Sequence, residues 1–249
     1  MEIQEYIPLA PFTTLGVGGR VKFFSAALNA EDVAGLFAWA KANGEDVFVL
    51  GGGSNILVSD AGFDGLVIKV ELVGIEFENG IVTAGAGEDW DTFVSQCVDR
   101  GLAGVECLSG IPGTVGGTPV QNVGAYGQEV SETIVSVQCY DRSTGQIVEL
   151  SNEQCGFEYR KSIFNTTERD RYVVLSVVYR LVQGGEPKIA YKDLQQRFAD
   201  HVPTLKETRD AVILIRREKS MVIDPADPNS RSAGSFFKNP IVERYVADS

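Results

Sequence analysis

The sequence predicts an α+β fold of mixed strands, without a regular βαβ alternation. Three observations carry that expectation. Short apolar runs of strand length recur along the chain, helical patterns fall among them at irregular intervals, and two glycine-rich loops interrupt the first half.

In chain order, NAEDVAGLFAWAKANG (29–44) predicts a helix. Asn29 caps it, Val33, Leu36, Phe37 and Ala40 recur on one face, and Gly44 lies just past its end. VFVL (47–50) predicts a buried strand, followed by the loop GGGSN and a second strand around ILV (56–58). GLVIKV (65–70) and IVTAGAG (81–87) predict further strands. DWDTFVSQCVDRG (89–101) predicts a second helix, with Asp89 as cap and Trp90, Phe93, Val94, Cys97 and Val98 as its buried stripe. After the glycine-dense stretch 108–130, the runs SVQCYD, IVEL and YVVLSVVYRL predict strands. GGEPK (184–188) marks a lobe boundary, and TRDAVILIRREK (208–219) predicts a third amphipathic helix with Val212, Ile213 and Ile215 apolar.

The 249 residues allow one large domain or two to three small lobes. A chain that is 44% hydrophobic and 22% charged belongs to a soluble globular protein. A net charge of -12 argues against a general nucleic-acid surface, but not against a small anionic ligand held by a local cluster of cations and amides. Cys97, Cys107, Cys139 and Cys155 form no C-x-x-C pair, and with His201 the only histidine no zinc-ligand pattern exists. Free buried thiols in a reducing cytoplasm are the expectation. The N-terminus is not that of a signal peptide, and no apolar run is long enough to span a membrane.

Two loops carry the chemistry, GGGSN (51–55) and GIPGTVGG (110–117), each read as lying next to a strand. Glycines let backbone approach a ligand closely, and their amides can point at phosphate oxygens. Neither loop has the Rossmann or P-loop spacing, and each alone reads as a tight turn; together they point to a diphosphate cradle. EYRKSIF (158–164), YKDL (191–194) and IRREKSM (215–221) are unremarkable singly, and Lys219 fits a helix end. Ser235 in AGSFF has no histidine partner in sequence, so a Ser-His-Asp triad is not expected, and if the serine is catalytic it gives a proton rather than attacks.

TTLGVGG, VLGGGSNILVSD, GIPGTVGGTPVQNVGAYGQEV, EYRKSIF and SAGSFFKNP occur in that order between Thr13 and Pro240. Together they resemble the UDP-N-acetylenolpyruvoylglucosamine reductase (MurB) family, flavoenzymes that complete UDP-N-acetylmuramate for peptidoglycan. The resemblance implies an FAD-binding domain of two α/β lobes of the PCMH/VAO type (1–68 and 69–183), followed by an incomplete α+β substrate-binding domain (184–249). It implies that Gly51, Gly52, Gly53, Ser54 and Asn55 hold non-covalent FAD. So would Gly110, Pro112, Gly113, Thr114, Gly116 and Gly117, with Asn122, Gly124, Ala125 and Tyr126 just beyond. Arg160 matches the family's catalytic arginine and Ser235 its proton donor, while Tyr191, Lys219 and Asn239 match residues that hold the UDP-sugar. NADPH is the implied co-substrate, the bacterial cytoplasm the implied location, and a monomer the expected state. The family's third catalytic residue, a glutamate near its C-terminus, has no match here; Glu243 is too close to Ser235 to be it, so the chain is expected to be a fragment. Two alternatives stay open: a non-catalytic FAD-binding module, and another FAD oxidoreductase of the same broad family.

Overall fold

The structure, a computed structural model, describes residues 2–232. Ser235, Asn239 and the rest of the SAGSFFKNP motif after Ser232 lie outside the described residues.

The first sheet holds β1 (Gln4–Pro8), β2 (Arg20–Ala27), β3 (Val47–Leu50) and β4 (Phe63–Val70), in the order β1-β2-β4-β3. β1 is antiparallel to β2, while β2 and β3 flank β4 and run parallel to it. Parallel neighbours need a crossover, which α1 (Ala30–Asn43) supplies between β2 and β3. The Asn29 side chain accepts from the Asp32 amide, and Gly44 closes the helix at φ 69, a conformation that disfavours a Cβ. β4 is buried on both faces. Leu66 and Ile68 join the main core under α1, whereas Val67 points into a second core with Leu9, Val21, Phe24 and Leu50.

The second sheet is antiparallel throughout. Its strands β5 (Ile75–Glu78), β6 (Ile81–Gly85), β7 (Ile134–Asp141), β8 (Gln146–Ser151) and β9 (Tyr172–Arg180) lie in the order β8-β7-β9-β6-β5. Helix α2 (Trp90–Asp99), capped by Asp89, packs Trp90 and Phe93 around Tyr179 of β9, with the Phe93 and Tyr179 rings 4.8 Å apart. Each such buried ring stabilises by roughly 1.5–3 kcal/mol. Phe37 of α1 stacks on Tyr140 of β7 at 5.4 Å, joining the helix of the first sheet to the second sheet. Past residue 184 come α3 (Lys192–Arg197) and α4 (Leu205–Glu218). Leu194, Ala211, Val212 and Ile215 form a small third core with Cys107 and Tyr126. None of the described helices is long and apolar enough to cross a membrane.

Several sequence expectations need correction. Ile56–Val58 is not a strand: it finds no ladder partner among the described residues, and Leu57 is 75% exposed. Ile56 and Val58 pack inward there, while the Ser59 carbonyl accepts from the amides of Gly19 and Gly62. In the chain the second glycine loop is not flanked by strands: it follows the 3-10 turn at Glu106–Leu108 and ends in the one at Val115–Gly117, where the Gly116 amide donates to the Ala86 carbonyl just past β6. It is tied to the start of α2 by the bridge of Asp89 with Thr114 and by the Trp90 amide, which donates to the Gly113 carbonyl. The last helix starts at Leu205, because Thr204 and Glu207 form a capping box, and its buried stripe is Thr208, Ala211, Val212, Ile215 and Arg216 rather than one including Ile213. β1, β2, β5 and α3 were not legible, and β2–α1–β3 with β4 inserted is one parallel unit within an otherwise antiparallel pattern.

Candidate functional site

The two glycine loops touch. A Cβ on Gly52 would lie 2.5 Å from the Cα of Gly113, and one on Gly51 would lie 3.1 Å from Thr114 Oγ1. Gly53, at φ 65, has no room for a Cβ either, because the Phe12 carbonyl stands 1.9 Å from where it would be. The Gly53 carbonyl accepts from the Thr14 amide, which joins the TTLGVGG segment to the loop. Asn55 Nδ2 donates to Gln121 Oε1 at 3.2 Å, and Ser54 Oγ lies 2.7 Å from the Cβ position of Gly113.

The amides of Gly52, Gly53 and Ser54 donate to no backbone carbonyl among the described residues, and neither do those of Gly113 and Thr114. Thr114 Oγ1 is fully buried without a hydrogen-bond partner among the described residues. Buried polar groups are rarely left unpaired, so this hydroxyl and these amides make a donor-rich crease. Gly116 packs on Ala86, where a Cβ would come within 2.6 Å, and a Cβ on Gly117 would meet nothing within 4 Å among the described residues. Pro112, half-buried in the loop, has no amide to satisfy.

The segment beyond this loop is fixed by Asn122, 1% exposed and at φ 43. Its Nδ2 donates to Glu129 Oε2 at 2.8 Å and to the Glu158 carbonyl at 3.0 Å, and its Oδ1 accepts from the Ser131 amide at 3.1 Å. Asn122 thereby brings the EYRKSIF turn to the glycine-rich stretch. Ser162 Oγ donates to the Val120 carbonyl at 2.6 Å, and Arg160 Nη2 donates to the Gly124 carbonyl. Arg160 and Tyr126 both hold left-handed backbone, at φ 56 and φ 50, a costly conformation for such side chains. Arg160 thus lies with Gly124, next to Ala125 and Tyr126.

Tyr126 meets Tyr191 edge to face, ring centroids 5.4 Å apart. Tyr191, 45% exposed, is the N-cap of α3, and two residues on Asp193 accepts from Lys219 Nζ at 3.3 Å. Lys219 is the C-cap of α4. The structure therefore brings Tyr126, Tyr191 and Lys219 into one neighbourhood. Burial pushes the Tyr126 hydroxyl pKa up, and the charges of Arg216 and Lys219 work against that rise.

Four residues that sequence reasoning passed over hold this arrangement. Asp91 and Arg209 pair through Arg209 Nη1 at 2.6 Å and Nη2 at 2.8 Å, and Asp91 Oδ1 also accepts from the Gly110 amide at 2.6 Å. Arg216, 8% exposed, donates from Nε to the Gly110 carbonyl at 3.2 Å and from Nη2 to the Met221 carbonyl at 3.0 Å. Burial pulls the Arg216 pKa down, while Tyr126 and Asp91 push it up. Glu106 is wholly buried, and its carboxylate accepts from the Gly104 amide at 2.7 Å, the Lys188 amide at 2.9 Å and Gln128 Nε2 at 3.1 Å. A buried carboxylate is tolerated only with such donors, and this one ties the chain leading to α3 to the loop region. Arg216 stands in the quoted IRREK run, but nothing in a run of alternating charges marks which arginine turns inward.

Two lobes joined through paired glycine loops, where the amides of Gly52, Gly53, Ser54, Gly113 and Thr114 and the Thr114 hydroxyl have no partner among the described residues, are the arrangement of a dinucleotide-binding flavoprotein domain. The FAD binding domain family model matches residues 22–151, which includes both loops. A UDP-N-acetylenolpyruvoylglucosamine reductase from Thermobifida fusca is 48% identical over 246 residues, 95% of this chain and 68% of the relative. One from Saccharopolyspora erythraea is also 48% identical, over 94% of this chain and 66% of the relative. Among solved structures, the UDP-N-acetylenolpyruvylglucosamine reductase (MurB) of Thermus caldophilus matches with a TM-score of 0.71 at 26% identity, covering 96% of this chain and 76% of that one. A solvent-stable cholesterol oxidase, 17% identical with a TM-score of 0.52 over 69% of this chain and 36% of that one, shares the fold alone. The chain belongs to the UDP-N-acetylenolpyruvoylglucosamine reductase family, and it spans about two thirds of the length of these two curated relatives. The donor-rich crease between Gly52 and Thr114 fits the FAD that this family's binding domain takes.

Proposed function

We propose that this chain carries the FAD-binding machinery and part of the substrate site of an NADPH-dependent reductase. Its substrate is UDP-N-acetylglucosamine enolpyruvate and its product UDP-N-acetylmuramate, a peptidoglycan precursor made in the bacterial cytoplasm. The observation that carries the reading is the contact of Gly52 with Gly113 beside the Thr114 hydroxyl, which has no partner among the described residues, in a chain 48% identical to a named reductase. Bound FAD would relay a hydride from NADPH to the enolpyruvyl methylene.

The chain's own residues supply the rest. The amides of Gly52, Gly53, Ser54, Gly113 and Thr114 would hold the dinucleotide, with Gly51, Asn55, Gly110, Pro112, Gly116 and Gly117 shaping the crease. Asn122, Gly124, Ala125 and Tyr126 line its continuation. Arg160, anchored on the Gly124 carbonyl, meets the substrate carboxylate as charge develops there, which a fixed guanidinium does well. Ser235 gives the proton to the carbon that carried this charge. Lys219, Tyr191 and Asn239 hold the UDP moiety, Lys219 exchanging its exposed partner Asp193 for a phosphate. Division into lobes 1–68, 69–183 and 184–249 follows from the same reading.

The test is a product assay. Protein incubated with FAD, NADPH and the enolpyruvyl sugar should yield a UDP-sugar two hydrogens heavier, and omission of the sugar should stop NADPH oxidation. NADPH consumption without that product would assign the flavin to another substrate and favour the other-oxidoreductase reading.

A further inference from the structure

The entry to the second glycine loop is held from two helices at once. Gly110 has φ 70, and its amide donates to Asp91 on the first turn of α2 while its carbonyl accepts from Arg216 on α4. Asp91 is itself gripped bidentately by Arg209 of α4, whose side chain is 13% exposed. α4 lies beyond the 22–151 segment that the FAD-binding family model matches, so a helix outside that segment takes hold of a loop inside it.

We propose that Asp91 and Arg209 are positioning residues for FAD: the carboxylate sets the Gly110 peptide, and with it the donors of loop 110–117, and Arg209 sets the carboxylate. The inference rests on the flavin reading of that loop. Three features separate this pair from an ordinary helix-to-helix ion pair. One carboxylate oxygen, Oδ1, takes both Arg209 Nη1 and the Gly110 amide, so the ion pair and the loop share an atom. The guanidinium is two-pronged, which fixes the carboxylate plane as a lysine could not. The loop peptide held this way stands three residues before Gly113, whose close approach to Gly52 forms the crease. Burial works to raise the Asp91 pKa, but the bonds from Arg209 and Gly110 outweigh it and the carboxyl stays below its usual range. The carboxylate that the loop needs is therefore the form that α4 maintains. Because Lys219 ends the same helix, the clamp also fixes where the proposed UDP-binding lysine stands relative to the flavin loop.

The experiment measures FAD dissociation by flavin fluorescence, and melting temperature in parallel, for wild type, Asp91→Ala, Asp91→Asn, Arg209→Lys and the exchange Asp91→Arg with Arg209→Asp. FAD Kd should rise at least tenfold in Asp91→Ala and less in Asp91→Asn, whose amide oxygen can still accept from Gly110. Arg209→Lys should weaken FAD several-fold while retaining its charge. The exchange restores an ion pair between α2 and α4 but leaves no acceptor for the Gly110 amide, so FAD should stay weak even where the melting temperature recovers. Recovery of FAD affinity in the exchange, or Asp91→Ala and Arg209→Lys both within twofold of wild type, overturns the proposal and leaves the flavin reading intact. A wild-type protein that binds no FAD overturns the flavin reading itself and the proposal with it.

Discussion

Gly52 and Gly113 meet backbone to backbone, so closely that a methyl on the first would sit 2.5 Å from the Cα of the second. The two loops stand far apart in the chain, one after β3 and one after α2, and no residue but glycine lets them close to that distance. Gly52→Ala should push the loops apart, raise the FAD Kd at least tenfold and lower the melting temperature. Gly117→Ala is the control for fold, because its Cβ meets no atom of the described residues within 4 Å, and its melting temperature should match wild type. Thermal melts with and without FAD read both effects.

Lys219→Ala should weaken binding of the UDP-sugar by roughly 1.5–3 kcal/mol, the worth of a hydrogen bond to a charged group. Its present partner, Asp193, is exposed, and an exposed pair adds little to stability. Calorimetry should find FAD affinity and melting temperature unchanged. Equal loss of both affinities would place Lys219 in the service of the flavin or the fold.

Much of this site could be read from the sequence, and the unread part has a physical cause. α1 and α2 carry their caps, Asn29 and Asp89, in plain view, and apolar periodicity marked their inner faces. The loops GGGSN and GIPGTVGG stood out because glycine density has few other uses. Residues 56–58 misled because ILV is apolar enough for a strand, yet a strand also needs an edge to pair with. β1 was missed because QEYIP has no strong alternation and is mostly exposed. Asp91, Arg209, Arg216 and Glu106 were missed for one shared reason: each is charged, and only the tertiary fold shows that Asp91, Arg216 and Glu106 turn inward to meet backbone groups and that Arg209 turns inward to meet Asp91.

Acid should release the Asp91 clamp. A carboxyl with a lowered folded pKa contributes its stability in full above the unfolded value of about 3.9 and loses it as pH falls through the folded pKa. The melting-temperature difference between wild type and Asp91→Asn should therefore hold steady from neutral pH to about 5 and shrink below about pH 4. A difference that does not change down to acid unfolding would mean that the carboxylate charge contributes nothing to the fold.

The thiols should be inert in the folded state. Burial pushes Cys97, Cys107 and Cys155 up to about 12, and Cys139 further still. At pH 8 the thiolate fraction of such a group is roughly one in 10⁴. A disulfide-exchange reagent should find no fast-reacting cysteine in native protein and all four after denaturation. A thiol modified within seconds would contradict the packing of the core that holds it.

The central claim, that the flavin crease serves an enolpyruvyl sugar, is tested most directly by following the two half-reactions anaerobically. NADPH should bleach the flavin absorbance of the loaded protein, and the enolpyruvyl UDP-sugar should then restore it. Ser235→Ala should leave the first step near normal and slow the second by roughly 10²–10⁴-fold, the worth of a general acid, with Ser235→Cys recovering part of the loss. Flavin that NADPH reduces but the enolpyruvyl sugar cannot reoxidise in the unaltered protein would contradict the account.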